Sequence, residues 1–188
     1  MKIAQKTESH INRCCAVHLH SWREYKLPKW GYSIAEEALD PEKTVKASGR
    51  ELRVSHKAAR EVCRSIKGMT LTKAKQYLED VIAKKKPVPY RRFRKKAGHR
   101  HGLVGAFAGK YPVKAAKTVL KVLQEAEANA ENKGLDTDRL RIIHASAYPG
   151  MKLKRFMRRA HGTASPKVET LSHVELALEE EAEKAEEA

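Results

Sequence analysis

Thirty consecutive residues, Arg139 to Val168, contain eight Lys or Arg and no Asp or Glu. Arg139 to Tyr148 is rich in residues that suit a strand, and Val168 to Leu178 ends in the alternation His173-Val174-Glu175-Leu176-Ala177-Leu178. Between these flanks, His161-Gly162-Thr163-Ala164-Ser165-Pro166 gathers the Gly, Ser and Pro that a chain reversal needs for permissive dihedrals. The simplest structure is one long β-hairpin. Its strand from Arg139 to Arg159 would reach roughly 70 Å at about 3.3 Å per residue, whereas a body of about 120 residues has a radius of gyration near 14 Å. The hairpin must therefore project. A lone ribbon is marginal in water, and Lys152, Lys154, Arg155, Arg158 and Arg159 near the tip repel one another. A polyanion is the natural partner.

The rest of the chain agrees. Of 188 residues, 39 are Lys or Arg and 23 Asp or Glu, a net charge of +16. The last ten residues hold six Glu, so the basic charge concentrates in the middle of the chain. Such a field on a single domain points to nucleic acid, because each phosphate neutralised releases condensed counterions. No stretch approaches the roughly 20 apolar residues of a membrane span, so no membrane partner is expected. Three cysteines, Cys14, Cys15 and Cys63, match neither a disulfide framework nor a Cys-x-x-Cys pair and fit a reducing cytosol. His10, Cys14, Cys15, His18 and His20 fit zinc-ligand spacing poorly, and no metal is expected.

Residues 1–26 show no sustained period and read as a poorly ordered extension, and 27–178 as one domain including a hairpin at about 139–178. Gly49 to Val54 reads as a short strand leading to Ser55, a good N-cap. Ala58, Ala59, Val62, Cys63 and Ile66 then follow helical spacing up to Gly68. A second helix starts behind Thr70 or Thr72, with Leu71, Ala74, Leu78, Val81 and Ile82 as its stripe, and stops at Lys84-Lys85-Lys86-Pro87. A third runs from Pro112 to about Lys133, closed by Gly134, with Val113, Ala116, Leu120, Leu123 and Ala130 buried. Asp136 and Asp138 organise the turn into the hairpin. The expected fold is α+β, a small antiparallel sheet packed against three helices with the long hairpin projecting. The tail, 179–188, reads as a solvated acidic end.

Between the second and third helices, Lys86 to Tyr111 shows no regular pattern, and loops of that length in compact domains are usually functional or disordered; left unbound, this one would have no source of order. It holds Tyr90, Arg91, Arg92, Phe93, Arg94, Lys95, Lys96 and Arg100, inside a span from Val81 to Gln124 with thirteen basic residues and no acid. Arginine forks grip phosphates, and Tyr90 and Phe93 are candidates to stack on exposed bases. Catalytic chemistry is not visible. Gly105-Ala-Phe-Ala-Gly109-Lys110-Tyr111 is one residue short of a phosphate loop and ends in Tyr, not Ser or Thr. Glu79 and Asp80 are adjacent on a helix and diverge by about 100°. No enzyme activity and no cofactor are expected. A DNA-binding protein would present basic side chains on a groove-sized helix, but here they sit in a loop and a ribbon, so DNA is not expected.

Several ordered segments resemble one family: Trp30-Gly31-Tyr32-Ser33, Ile66-Lys67-Gly68-Met69, Pro87-Val88-Pro89-Tyr90-Arg91, Asn129-Ala130-Glu131-x-x-Gly134-Leu135-Asp136, and Arg159-Ala160-His161-Gly162 followed by His173-Val174-x-Leu176-x-Leu178. Together, from about Lys29 to Glu180, they resemble the universal large-subunit ribosomal protein number twenty-two, seventeen in the eukaryotic scheme, in its archaeal-type form. Thr163 departs from the basic or larger polar residue many members carry there. The resemblance implies a cytoplasmic, structural protein of the large subunit that serves translation and subunit assembly. It would bind large-subunit ribosomal RNA near the peptide-tunnel exit and touch neighbouring ribosomal proteins. Its hairpin tip, Arg159, Ala160, His161, Gly162 and Thr163, would line the tunnel beside the nascent polypeptide. Arg91, Arg92, Arg94, Lys95, Lys96 and Arg100 in the loop, and Lys152, Lys154, Arg155, Arg158, Arg159 and Lys167 on the arm, are then the expected RNA-binding residues. Archaeal-type members commonly begin with Met where this chain has Leu27, and a leucine codon can serve as a start. The native product is therefore expected to begin at position 27, the alternative being a real extension that touches RNA through Arg13 and Arg23.

Overall fold

The computed structural model describes residues 31–35, 39–103 and 105–181. The expectations for residues 1–26, for the cluster His10 to His20 and for a start at Leu27 lie outside them. From Ser33 onward the described residues belong to one compact unit. Its described elements run β1 (Thr44–Leu52), α1 (His56–Ile66), α2 (Leu71–Ile82), β2 (Val88–Pro89), β3 (Gly109–Lys110), α3 (Val113–Lys133), β4 (Leu140–Arg158) and β5 (Ala164–Glu180). The fold is α+β as expected. An antiparallel sheet of order β1-β5-β4 carries the helices on one face, and β2 pairs with β3 in a separate small ribbon.

Helix boundaries follow the punctuation. Ser55 and Thr70 stand at the N-caps of α1 and α2, and Gly134, with φ of 75°, takes the left-handed position that ends α3. Leu135 then donates its N–H to Ala130 O, so the last turn is closed by backbone. The buried stripe of α3 is rotated from the one expected. Ala115, Ala116, Val119, Val122, Leu123, Ala126 and Ala130 are buried, whereas Val113 and Leu120 are only partly covered. Small alanines let this helix approach both α2 and the sheet, a preference that ranking positions by size does not show. β1 also starts earlier than expected, at Thr44 and not at Gly49.

The turn between α1 and α2 is fastened to the hairpin base. Gly68 donates its N–H to Ile142 O at 2.8 Å, Met69 O accepts the N–H of Ile142 at 3.0 Å, and Arg141 Nε donates to Gly68 O at 3.0 Å. Val45, Ala47, Leu140, Ile142, Val174, Leu176 and Leu178 form the sheet's half of the core. Cys63 packs inside it as a small apolar residue, its thiol pushed up to about 12 by burial.

Two irregularities divide the hairpin. A bulge between Ile142 and His144 re-phases β4, so that Ala145 and Ala147 pack on the core while His144, Ser146 and Tyr148 share the other face with Glu175. A second, between Pro149 and Lys152, lies where β1 stops pairing, at Leu52 opposite Ser172. Pro149 is tolerated because β4 is an edge strand, and Gly150 is favoured because an added Cβ would meet the His173 ring. Only Lys152 to Arg158 therefore runs beyond the three-stranded sheet, about 23 Å at 3.3 Å per residue, because the first half of β4 belongs to the body.

The reversal is tighter than expected. Ser165 and Pro166 are already paired with Met157 and Phe156, so the turn is Arg159 to Thr163, with His161 and Gly162 at φ of 55° and 69°. The acidic tail also starts later, because Glu179 and Glu180 pair in β5 and Glu181 ion-pairs with Arg141.

Candidate nucleic-acid interface

The basic loop has an anchor that sequence reasoning missed. Glu61 lies on the buried stripe of α1 and is 1% exposed. Its carboxylate accepts three successive backbone N–H groups, Arg91 at 3.1 Å, Arg92 at 3.0 Å and Phe93 at 3.2 Å. An anion buried without partners would be strongly unfavourable, and these charge-assisted bonds satisfy it while fixing the loop's path. The signal was a Glu at helical spacing among Ala58, Val62 and Cys63, an acceptor inside an apolar stripe. Nothing in the sequence names its donors, 30 to 32 positions away.

Further order comes from the β2–β3 ribbon and from His99 pairing with Ala108, so the expectation of an unpatterned loop is corrected. Arg91, Arg92, Arg94, Lys95, Lys96 and Arg100 are all exposed. Several are held by aromatic faces: Arg92 lies 5.9 Å from the Phe93 ring centre, Arg94 5.6 Å from Phe107 and Arg100 5.5 Å from Tyr111. These contacts pre-orient guanidinium forks without neutralising them.

The two expected stacking rings fare differently. Tyr90 is 5% exposed and belongs to the core, with its hydroxyl pushed up to about 12 by burial and by the Glu61 charge. Its ring is not offered to a base, because Val88, Tyr90 and the anchored turn after it close the core beneath the loop. Phe93 is partly buried, with His56 edge-on at 6.4 Å and Lys57 at 5.7 Å from its ring centre. The exposed ring in this region is Phe107, 56% exposed with His99 tilted against it at 5.5 Å. It sits inside the Gly105–Tyr111 segment, whose spacing falls one residue short of a phosphate loop.

On the arm, Lys152, Lys154, Arg155, Arg158, Arg159 and Lys167 are exposed. Arg155 pairs with Glu169 at 3.5 Å, and Arg159 Nε donates to Ser165 Oγ at 2.9 Å across the turn. The tip residues Arg159, Ala160, His161, Gly162 and Thr163 are all exposed, and Thr163 Oγ1 donates to Ala160 O at 2.8 Å, closing the turn. Thus the residue that departs from the family pattern has a local role.

A polar cluster fixes the arm's root on the face away from the helices. Glu175, fully buried, accepts Ser33 N–H at 3.0 Å, Ser33 Oγ–H at 2.7 Å and the Tyr148 hydroxyl. Burial alone would raise its pKa, but the Tyr148 and Ser33 donors and the nearby His144 outweigh it, and the carboxyl lies below its ordinary value. His144 is lowered in turn, by burial and by Lys67. Ser33 of the Trp30-Gly31-Tyr32-Ser33 motif thereby acquires a physical role.

Among the described residues no group of His, Cys, Asp or Glu is arranged to hold a metal, and no helix is long and apolar enough to cross a membrane. Residues 47–179 match the family model described as ribosomal protein L22p/L17e. The chain is 54% identical over 142 residues to the large ribosomal subunit protein uL22 of Methanocaldococcus jannaschii, covering 76% of this chain and 91% of that one. To the proteins of the same name from Methanopyrus kandleri and Ignicoccus hospitalis it is 50% and 48% identical, covering 82% of this chain and 98% and 99% of theirs.

Proposed function

The chain belongs to the ribosomal protein L22p/L17e family, structural and non-enzymatic components of the large ribosomal subunit in the cytoplasm, and on that premise we propose that it binds large-subunit ribosomal RNA with its basic loop and its arm. The observation that carries this reading is the loop on Glu61. Six exposed cations, Arg91, Arg92, Arg94, Lys95, Lys96 and Arg100, project from a loop whose Arg91, Arg92 and Phe93 amides are held on a buried carboxylate, so a phosphate-binding surface exists before RNA arrives. The helices turn their apolar stripes to the core, and their outer faces add exposed cations, Lys57, Arg60 and Arg64 on α1 and Lys114, Lys117 and Lys121 on α3, to the basic surface of loop and ribbon.

The arm extends this role. Its root is fixed by the sheet and the Ser33–Glu175 cluster, its shaft offers cations to RNA phosphates, and its tip, Arg159 to Thr163, faces the peptide tunnel and the nascent chain. Neighbouring ribosomal proteins are further partners. Co-sedimentation of the native protein with large subunits in high salt tests the assignment, and photocrosslinks from the tip to a stalled nascent chain test the tunnel role. Release of the protein from subunits in high salt would overturn the first, and crosslinks confined to RNA the second.

A further inference from the structure

Beyond Pro149 the arm has two unlike faces. Strand pairing sets Lys152 opposite Thr170, Lys154 opposite Val168, Phe156 opposite Pro166 and Arg158 opposite Ala164. Directly opposed residues point to the same side of a ribbon, and residues two apart share that side. One face therefore carries Lys152, Lys154, Phe156 and Arg158, three cations with no acid, around a ring that is 75% exposed. The other carries Leu153, Arg155, Met157, Lys167 and Glu169, where Glu169 already pairs with Arg155 and Leu153 is half-covered.

We propose that the Lys152–Lys154–Phe156–Arg158 face is the RNA-binding face of the arm, with Phe156 stacking on an unpaired base. This rests on the arm being an RNA-binding element and deepens that reading. An exposed phenylalanine costs hydration unless something covers it, and here its cover must also satisfy cations on either side. Lys154, Phe156 and Arg158 follow one another at about 6.6 Å, two residues of strand rise each. A nucleotide stacked on the ring thus brings its flanking phosphates toward both cations. An apolar peptide would cover the ring but leave three cations without counter-charge. Single-stranded RNA supplies both halves, since bases stack on aromatic faces while the backbone tracks a basic surface. Arg155, engaged by Glu169 on the opposite face, is assigned a lesser part than its charge alone implies.

The test uses the full chain against two polyanions, unstructured poly-uridylate and dextran sulfate, which carries charge without bases. Phe156→Ala is expected to weaken poly-uridylate binding about 5- to 160-fold, the range of one lost base stack, and to leave dextran sulfate binding unchanged. Phe156→Trp restores it, and Arg155→Ala has a smaller effect than Lys154→Ala on both ligands. Unchanged poly-uridylate affinity for Phe156→Ala, or equal losses on the two polyanions, overturns the stacking assignment. The triple variant Lys152→Ala, Lys154→Ala, Arg158→Ala separates the two levels. If it weakens RNA binding while Phe156→Ala does not, only the stack is wrong; if it has no effect, the arm's RNA-binding role fails with it. Ultraviolet crosslinks from Phe156 to protein and none to RNA in intact large subunits would equally overturn the proposal.

Discussion

Glu61 Oε1 accepts the backbone N–H of Arg92 at 3.0 Å, so a carboxylate buried in the first helix sets the path of a loop 31 positions further along. Phe93 shares that oxygen and Arg91 takes the other. Glu61→Ala is expected to destabilise the domain by roughly 3 kcal/mol, because it removes charge-assisted bonds and leaves three donors short of an acceptor. Glu61→Gln keeps one carbonyl oxygen and should cost about 1–2 kcal/mol. Chemical denaturation measures both. Hydrogen exchange gives the specific readout: the amides of Arg91, Arg92 and Phe93 should lose protection in Glu61→Ala before the helices do. Retained protection there would show that the β2–β3 ribbon alone orders the loop.

Replacing Arg92 and Arg94 with Ala should weaken RNA binding and flatten its salt dependence. Each lost phosphate contact lowers the slope of log affinity against log salt by about 0.7–0.9. Both side chains are exposed and both lean on aromatic rings, so the change should leave the fold intact. An unchanged slope in filter-binding titrations would remove these arginines from the phosphate contacts.

The parts of the fold legible in the sequence were those governed by local rules. Ser55, Thr70, Pro112 and Gly134 bound the helices, Gly134 because the left-handed position restricts residue type and Ser55 and Thr70 through extended backbone at the N-cap, without a capping hydrogen bond from the side chain. The hairpin was legible because its residues alternate and its acids are missing. What stayed hidden depends on pairs distant in sequence. Glu61 and its three donors, the Ser33–Glu175 contact and the bulge after Ile142 are fixed by tertiary packing, and none leaves a local pattern. Tyr90 shows the same limit from the other side: a tyrosine beside arginines reads as an interface ring, yet the core takes it.

Removing Met151 to Val168 and joining the strands with a short Gly-rich turn should leave the thermal transition nearly unchanged. Every residue in that stretch is exposed except Leu153 and Ser165, which are half-buried, and none belongs to the core cluster. The loss should stay below about 1 kcal/mol, a shift of less than about 4 °C for a domain this size. Helical circular dichroism should be preserved. A broad or strongly lowered transition would mean that the arm supports the body and does not merely extend from it.

Acid should unfold the protein in two stages. Folded His144 has its pKa lowered from 6.5 by burial and by Lys67, and His56 is lowered too, by burial and by Lys57. The unfolded chain therefore takes up these protons first, and stability begins to fall as pH drops below about 6.5. Glu175 follows. Its folded pKa lies below the ordinary 4.5, so its contribution is complete above that value and is lost as pH falls through the lowered one. Tyr148→Phe and Ser33→Ala each remove a donor that holds Glu175 ionised. Each should cost about 1–2 kcal/mol at neutral pH and shrink the second stage, while the stage near 6.5 persists because the partly buried imidazoles keep Lys57 and Lys67 beside them. Melting temperatures from pH 7 to about pH 3 resolve the two stages, and mutant curves running parallel to wild type throughout would show that Glu175 is not what titrates in the second.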